Sequence, residues 1–158
     1  MNKDDNMQID LRVIDRTNYM ECIQLEVLKE QETFVATNMF SLIQAAYEPE
    51  LYPLGVYNGN KMVGFILYDF DYEINGWSMS RFMIDKNHQN QGIGACALQK
   101  FIKLFSNKHG AKLLYTSVSL ENHNVISLYE KHGFEKREPF EYEHGGKTYK
   151  ELRMLLKL

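Results

Sequence analysis

The sequence predicts one α+β domain, with an antiparallel meander ahead of a long helix and a hairpin closing the chain. Three observations lead there. The 158 residues, 44% hydrophobic and 25% charged, fit one ordinary globular domain with a substantial core. Short runs of alternating polarity are divided by turn residues at Asn58-Gly59-Asn60, Asn75-Gly76 and Gly145-Gly146, which is hairpin punctuation. The pattern then changes period, because Ile93, Ala97, Leu98, Phe101, Ile102 and Phe105 form a helical stripe.

Taken in order, Ile9, Leu11 and Val13 alternate with polar residues and predict a first strand. Helical spacing over residues 19–29 puts Met20, Ile23 and Val27 on one face, with Thr17 available as a cap. A second helix is expected over residues 41–47, stopped near Pro49. Strands at 54–57 and 61–69 flank the Asn58-Gly59-Asn60 turn, and a third follows at 77–84. The long helix closes near His109-Gly110. A β-branched and aromatic strand is expected at 113–119, and a helix at 122–132 ended by Gly133. The tail holds strands at 134–142 and 149–156. No internal repeat, low-complexity tract or linker interrupts the chain.

Composition narrows the function. A formal net charge of −3 without a dense basic stripe argues against nucleic acid as the main partner. No apolar run reaches the roughly 18–20 residues that span a bilayer. The start, Met1-Asn2-Lys3-Asp4-Asp5-Asn6, lacks the apolar centre of a signal peptide, so the expected location is the cytoplasm. Cys22 and Cys96 have no second cysteine or histidine at ligand spacing, so neither a disulfide nor a metal site is expected. His88, His109, His123, His132 and His144 scatter over turns and helix ends, where surface or capping roles account for them.

The most informative stretch is Gln89-Asn90-Gln91-Gly92-Ile93-Gly94-Ala95, between a predicted strand and the long helix. A helix N-terminus has unpaired N–H groups and partial positive charge. Glycines there allow positive φ and close approach of a bulky anion such as a pyrophosphate. The Gly-Lys-Ser/Thr of a Walker loop is absent. Only two glycines occur, after an antiparallel meander, so the three-glycine Rossmann fingerprint does not apply.

Gln89-x-x-Gly92-x-Gly94 resembles the Gln/Arg-x-x-Gly-x-Gly/Ala signature of the GNAT superfamily of N-acetyltransferases. Asn122 through Phe134, read as Asn-x-x-Val-x-x-Leu-Tyr-x-x-x-Gly-Phe, is similar to that family's second block, with Val125 at a usual alanine. Phe82-Met83-Ile84 sits where the family has its cofactor-contacting strand, although Lys86 replaces a frequent proline. The resemblance covers residues 8–158, leaving 1–7 as an expected flexible N-terminus. It implies a GNAT-like domain, with a mostly antiparallel mixed sheet of six to seven strands and helices on both faces.

The same resemblance implies acetyl-CoA as co-substrate, with no metal. The N–H groups of Gln89, Asn90, Gln91, Gly92, Ile93, Gly94 and Ala95 would hold its pyrophosphate. The strand edge at Met83 and Ile84 would pair with the pantetheine arm and polarise the thioester carbonyl. Asn122 would contact the arm from the other side, and Lys131 either reaches the 3′-phosphate or is a solvated helix-end lysine. Tyr129 would be the general acid. A primary ammonium with a pKa near 10 must lose a proton before attack, and a departing thiolate must gain one. Direct transfer without an acyl-enzyme is the route the resemblance implies, and neither cysteine has a plausible base beside it to suggest a covalent step.

Glu30 and Glu32 follow the first helical segment, Glu48 and Glu50 the second, and Asp69, Asp71 and Glu73 lie between two strands. Carboxylates attract cations, so Glu30, Glu32, Asp69 and Asp71 are candidate acceptor-binding residues and a polycationic amine is a reasonable acceptor. Residues 30–38, Ser41-Leu42 and Arg81-Phe82-Met83-Ile84-Asp85 resemble bacterial spermine/spermidine acetyltransferases, and that resemblance implies a polyamine as the first choice of acceptor. Another amine, or a non-catalytic acyl-CoA-binding regulator, is the alternative. The base stays open among Glu32, Asp69, Asp71 and a water chain. A homodimer is compatible with the apolar final strand, as is an ordinary core strand.

Overall fold

Turn chemistry fixes the meander. The computed structural model describes residues 7–158, and the expected flexible N-terminus, Met7 apart, lies outside them. Strand β1 (Ile9–Val13) pairs with β2 (Leu51–Asn58), which turns through Gly59 at φ 61° into β3 (Lys61–Asp71). Asn75, at φ 48°, turns β3 into β4 (Gly76–Ile84). All three pairings are antiparallel. Helix α3 (Ile93–His109) then crosses to β5 (Leu113–Ser119), which lies parallel to β4, as a helical crossover allows. Helix α4 (His123–Lys131) leads to the hairpin of β6 (Glu135–His144) and β7 (Lys147–Lys157). The sheet has seven strands in the order β1-β2-β3-β4-β5-β7-β6.

Both faces are covered, so β3 reads as an unbroken buried run from Met62 to Tyr68 rather than an alternation. Ile66, Tyr68, Met79 and Leu114 pack on one face with Phe101, Phe105 and Tyr129 of α3 and α4. Phe65, Leu67 and Met83 pack on the other with Cys22 of α1 (Tyr19–Ile23) and with Leu42 and Ala45 of α2 (Asn38–Tyr47). Each buried phenylalanine contributes about 1.5–3 kcal/mol. The final strand β7 pairs with β5 and β6, so its Leu152, Met154, Leu155 and Leu156 are core residues, and the open edges belong to β1 and β6.

The first helix differs from expectation. It ends at Ile23 instead of residue 29, Asn18 rather than Thr17 is the N-cap, and Thr17 bonds Asp15. Long-range polar groups capture the chain beyond it. Asn38 Nδ2 donates to the Cys22 carbonyl at 2.9 Å, and the Glu26 N–H donates to Asp85 Oδ2 at 3.1 Å. Helical propensity of a few tenths of a kcal/mol per residue does not compete with such bonds. A short 3-10 turn, Lys29–Gln31, follows instead. Helix α2 begins earlier than expected because Thr37 caps it, accepting from the Phe40 N–H at 3.2 Å.

Candidate active site

The site begins with a defect in β4. Tyr68 faces Met79 while Leu67 faces Arg81, so Ser80 has no partner on β3. Such a bulge bends a strand and increases its twist. Beside it the β4–β5 pairing ends: only Ser78↔Tyr115 and Met79↔Thr116 are matched, and the two strands part beyond them. The Thr116 hydroxyl donates to the Met79 carbonyl at 2.9 Å and closes the apex of the gap.

Strand alternation decides which groups line the gap. The Asp85 N–H donates to the Val63 carbonyl at 2.8 Å, so Met83 turns its backbone toward β3 as well. Phe82 and Ile84 therefore turn theirs into the gap, and the Ile84 carbonyl accepts there from Gln89 Nε2 at 3.0 Å. The sequence places Phe82 in this strand but the expected edge is Met83 and Ile84, because a one-residue register needs the pairing partner to be known. Met83 instead buries its side chain on the opposite face, 3.7 Å from Asn38 Nδ2.

At the mouth of the gap, Asn90 (φ 59°) and Gly92 (φ 81°) reverse the chain into α3. The Cys96 N–H is the first to donate within the helix, to the Gly92 carbonyl at 3.2 Å. Those of Gln89, Asn90, Gln91, Gly92, Ile93, Gly94 and Ala95 donate to nothing among the described residues. Unpaired N–H groups at a helix N-terminus are of the kind that can hold an anion. A side chain at Gly94 would first meet Ile84 Cγ1 at 3.7 Å and Leu128 Cδ2 at 3.9 Å, which places this loop between β4 and α4.

Tyr129 stands at the apex. It is 3% exposed, its ring lies 5.3 Å from that of Phe134, and Thr116 is its hydroxyl's polar neighbour. Burial pushes its phenol well above the ordinary value against a smaller opposing effect of Thr116, so it is neutral throughout the physiological range. Asn122, half-buried at the N-terminus of α4, makes no side-chain hydrogen bond among the described residues. Lys131 is exposed at the other end of that helix and forms no ion pair among them.

The four predicted acceptor carboxylates do not form one cluster. Glu30 and Glu32 are exposed in and after the 3-10 turn, at the Ile84 end of β4, where the charge of Glu32 acts on Lys86. Asp69 and Asp71 stand at the opposite end, across from Ser78 and Gly76. Asp69 is half-buried and accepts from Ser80 Oγ. The sheet brings to it residues the sequence reading passed over. Arg81 donates to Gln44 Oε1 at 2.7 Å and feels the charges of Asp69, Glu48 and Tyr142. Tyr142 donates to Glu151 Oε1 at 3.1 Å, and Ser117 Oγ to Glu151 Oε2 at 2.6 Å. Burial and then the Glu151 charge push Tyr142 up to about 12. No local signal marks Tyr142 and Glu151, since their position depends on β7 docking against β5.

The loop ahead of α3 is stapled to the segment before α2. The side-chain amides of Gln31 and Gln89 exchange hydrogen bonds at 2.8 and 3.1 Å, and Gln31 Oε1 also accepts from the Leu28 N–H at 3.1 Å. The Lys86 N–H donates to the Glu26 carbonyl at 2.7 Å. Cys22 is fully buried and its thiol is pushed up to about 12 by burial and by Glu21, so it offers no thiolate. Among the described residues, no group of three or more His, Cys, Asp or Glu could hold a metal ion, and no helix is long and apolar enough to cross a membrane.

A parted pair of strands, an open amide cradle and an unused asparagine amide fit a cofactor with a pyrophosphate and an amide-bearing arm. Known proteins agree. The chain is 26% identical over 135 residues to the spermine/spermidine N(1)-acetyltransferase of Bacillus subtilis, covering 82% of this chain and 89% of that one. Its fold matches the spermidine N-acetyltransferase of Vibrio cholerae, solved with CoA and spermine, at TM-score 0.74 and 17% identity over 95% of each chain. It also matches the ribosomal-protein-S18-alanine N-acetyltransferase of Escherichia coli, at TM-score 0.70 and 17% identity over 95% of this chain and 94% of that one. Residues 17–134 match the acetyltransferase (GNAT) family, so the chain belongs to that family and is an acetyl-CoA-dependent N-acetyltransferase.

Proposed function

We propose that the protein transfers the acetyl group directly from acetyl-CoA to a primary amine of a polyamine such as spermine or spermidine, with Tyr129 as general acid. The observation that carries this is the placement of the Tyr129 hydroxyl beside Thr116, at the apex where β4 and β5 part. The anion cradle lies at the mouth of that gap, and carboxylates gather on the α1/α2 face. Acetyl-CoA, when bound, supplies the acetyl group as a thioester.

The chain's own residues do the rest. The amides of residues 89–95 would hold the pyrophosphate, and the gap-facing edge of Phe82 and Ile84 would orient the arm and offer an N–H to the thioester oxygen. Asn122 would hold the arm from the α4 side. Tyr129 is neutral and shielded from water, so it can give its proton to the departing sulfur. The buried, protonated Cys22 supports transfer without an acyl-enzyme. For the acceptor, Glu48, Asp69, Asp71 and Glu151 set a negative field that favours a polycation. The relatives named for spermine and spermidine support the same choice. The Escherichia coli neighbour shows that the fold by itself does not fix the acceptor.

The test is thiol release from acetyl-CoA with spermine, spermidine, putrescine, an aminoglycoside, amino acids and a short peptide, with Tyr129→Phe alongside. Turnover should be fastest with the polyamines and fall about 10²-fold in the variant, with acetyl-CoA affinity kept. An undiminished rate in Tyr129→Phe removes the acid role. Acetyl-CoA binding without release for any amine overturns the transferase assignment and favours an acyl-CoA-binding regulator.

A further inference from the structure

The proton acceptor for the incoming amine is the group the transferase reading leaves open, and the bulge in β4 selects it. A bulge places two consecutive side chains on the same face of a sheet. Here they are Ser80 and Arg81, and both point to the α1/α2 face: Ser80 donates to Asp69 and Arg81 to Gln44. Asp69 shares that face, because Tyr68 before it and Phe70 after it pack against Trp77 on the other. Ser80 is exposed and directly follows Met79, the last residue of β4 paired with β5. Tyr129 occupies the opposite face at that point.

We propose that Asp69, acting through the hydroxyl of Ser80, is the general base that deprotonates the acceptor amine. The proposal rests on the transferase reading above. The ammonium passes one proton to Ser80 Oγ as the Ser80 hydroxyl proton moves to Asp69 Oδ2, leaving a neutral amine and a carboxylic acid that later releases its proton to water. The C–N bond then forms and the C–S bond breaks. Tyr129 protonates the sulfur, and the second N–H proton returns to Tyr129 through solvent. Charge and atoms balance, and no further reactant is needed.

The rival carboxylates fail on position. Asp71 accepts from the Glu73 N–H at 2.8 Å and holds the following turn, two residues farther from the apex. Glu48 accepts from Gln44 Nε2 at the end of α2. Glu32 lies at the other end of β4. The surroundings also suit Asp69 to the task. Burial lifts its carboxyl above the usual carboxylate range, and Asp71 and Glu48 raise it further, against the Ser80 hydrogen bond and the Arg81 charge. A base closer to neutrality accepts a proton more effectively.

The experiment is a pH–rate series for the wild type, Asp69→Asn and Ser80→Ala. Acceptors are spermine and monoamines whose pKa values run from above 10 to below 7, and acetyl-CoA affinity is measured by calorimetry. Near pH 7, Asp69→Asn should lower kcat/KM for spermine about 10²- to 10³-fold, and Ser80→Ala about tenfold, with the Kd for acetyl-CoA unchanged. The loss should shrink to a few-fold for amines already neutral at the assay pH, and as pH rises past the pKa of the amine. Ser80 is exposed, so its alanine variant reports even if Asp69→Asn fails to fold. Rates within about threefold of wild type, or a loss equal at every pH and amine pKa, overturn the base assignment alone. A wild type that binds acetyl-CoA and acetylates no amine overturns the transferase reading and this one with it.

Discussion

Gly92→Ala tests whether the proposed anion cradle depends on one backbone conformation. Gly92 caps α3 at φ 81°, in the left-handed region where a Cβ costs about 1–2 kcal/mol. Crowding adds nothing, because the new Cβ would meet only Met7 Cε, at 3.5 Å, among the described residues. The cost therefore has two outlets. If the loop holds its shape, stability falls by that amount, which lowers Tm by about 2–8 °C in a chain of this size. If it relaxes toward negative φ, the free amides of residues 93–95 no longer converge, and acetyl-CoA Kd rises by a factor of about 5–30. Calorimetric titration with acetyl-CoA, together with thermal melts with and without it, separates the outlets. Gly94→Ala is the control. Gly94 has a helical φ, its Cβ would make ordinary contacts at 3.7 and 3.9 Å, and alanine gains up to about 1 kcal/mol of helix propensity. It should leave Tm equal or higher and Kd within about threefold. A Gly92→Ala protein with wild-type Tm and wild-type Kd would refute the reasoning.

Two further predictions concern the staple around the loop. Gln31→Ala removes the amide exchange with Gln89 and the acceptor for Leu28, and each such bond is worth about 1 kcal/mol. Acetyl-CoA Kd should rise about 5- to 30-fold with kcat little changed, as single-turnover kinetics would show; a fall in kcat alone contradicts it. Asp85 is pulled upward by burial, but donors from Glu26, Asn87 and His88 outweigh this and hold its carboxyl below the usual value. Its unfolded form thus binds protons first as pH falls, so its stabilisation is present above pH 4 and is lost as pH drops through the folded pKa. Urea melts between pH 6 and 3 should show a steeper loss of stability for wild type than for Asp85→Asn; parallel curves would exclude the carboxylate.

Much of the site was legible where the determining forces are local. Glycine freedom at Gly92, the helix stripe from Ile93 and the hairpin residues act within a few positions, so the loop and the helix after it stand where the spacing put them. The long helix ends as expected at Gly110, φ 58°. The first helix was misjudged because Asn38 and Asp85, distant in sequence, take the polar groups that a longer helix would have used.

The sequence by itself determined the element order, the glycine loop that opens α3 and the placement of Tyr129 on the buried stripe of α4, because these follow from period and backbone conformation. Tertiary structure decided the rest. A single extra residue at Ser80 parts β4 from β5, assigns Phe82 and Ile84 rather than Met83 to the gap, and brings Asp69 under the serine. Strand pairing also puts Glu30 and Glu32 at the opposite end of β4 from Asp69 and Asp71, and the docking of β7 against β5 brings Tyr142, hydrogen-bonded to Glu151, within the field of Arg81. Register alternates with every residue, and a charge acts across space rather than along the chain, so neither can be read until the strands are paired.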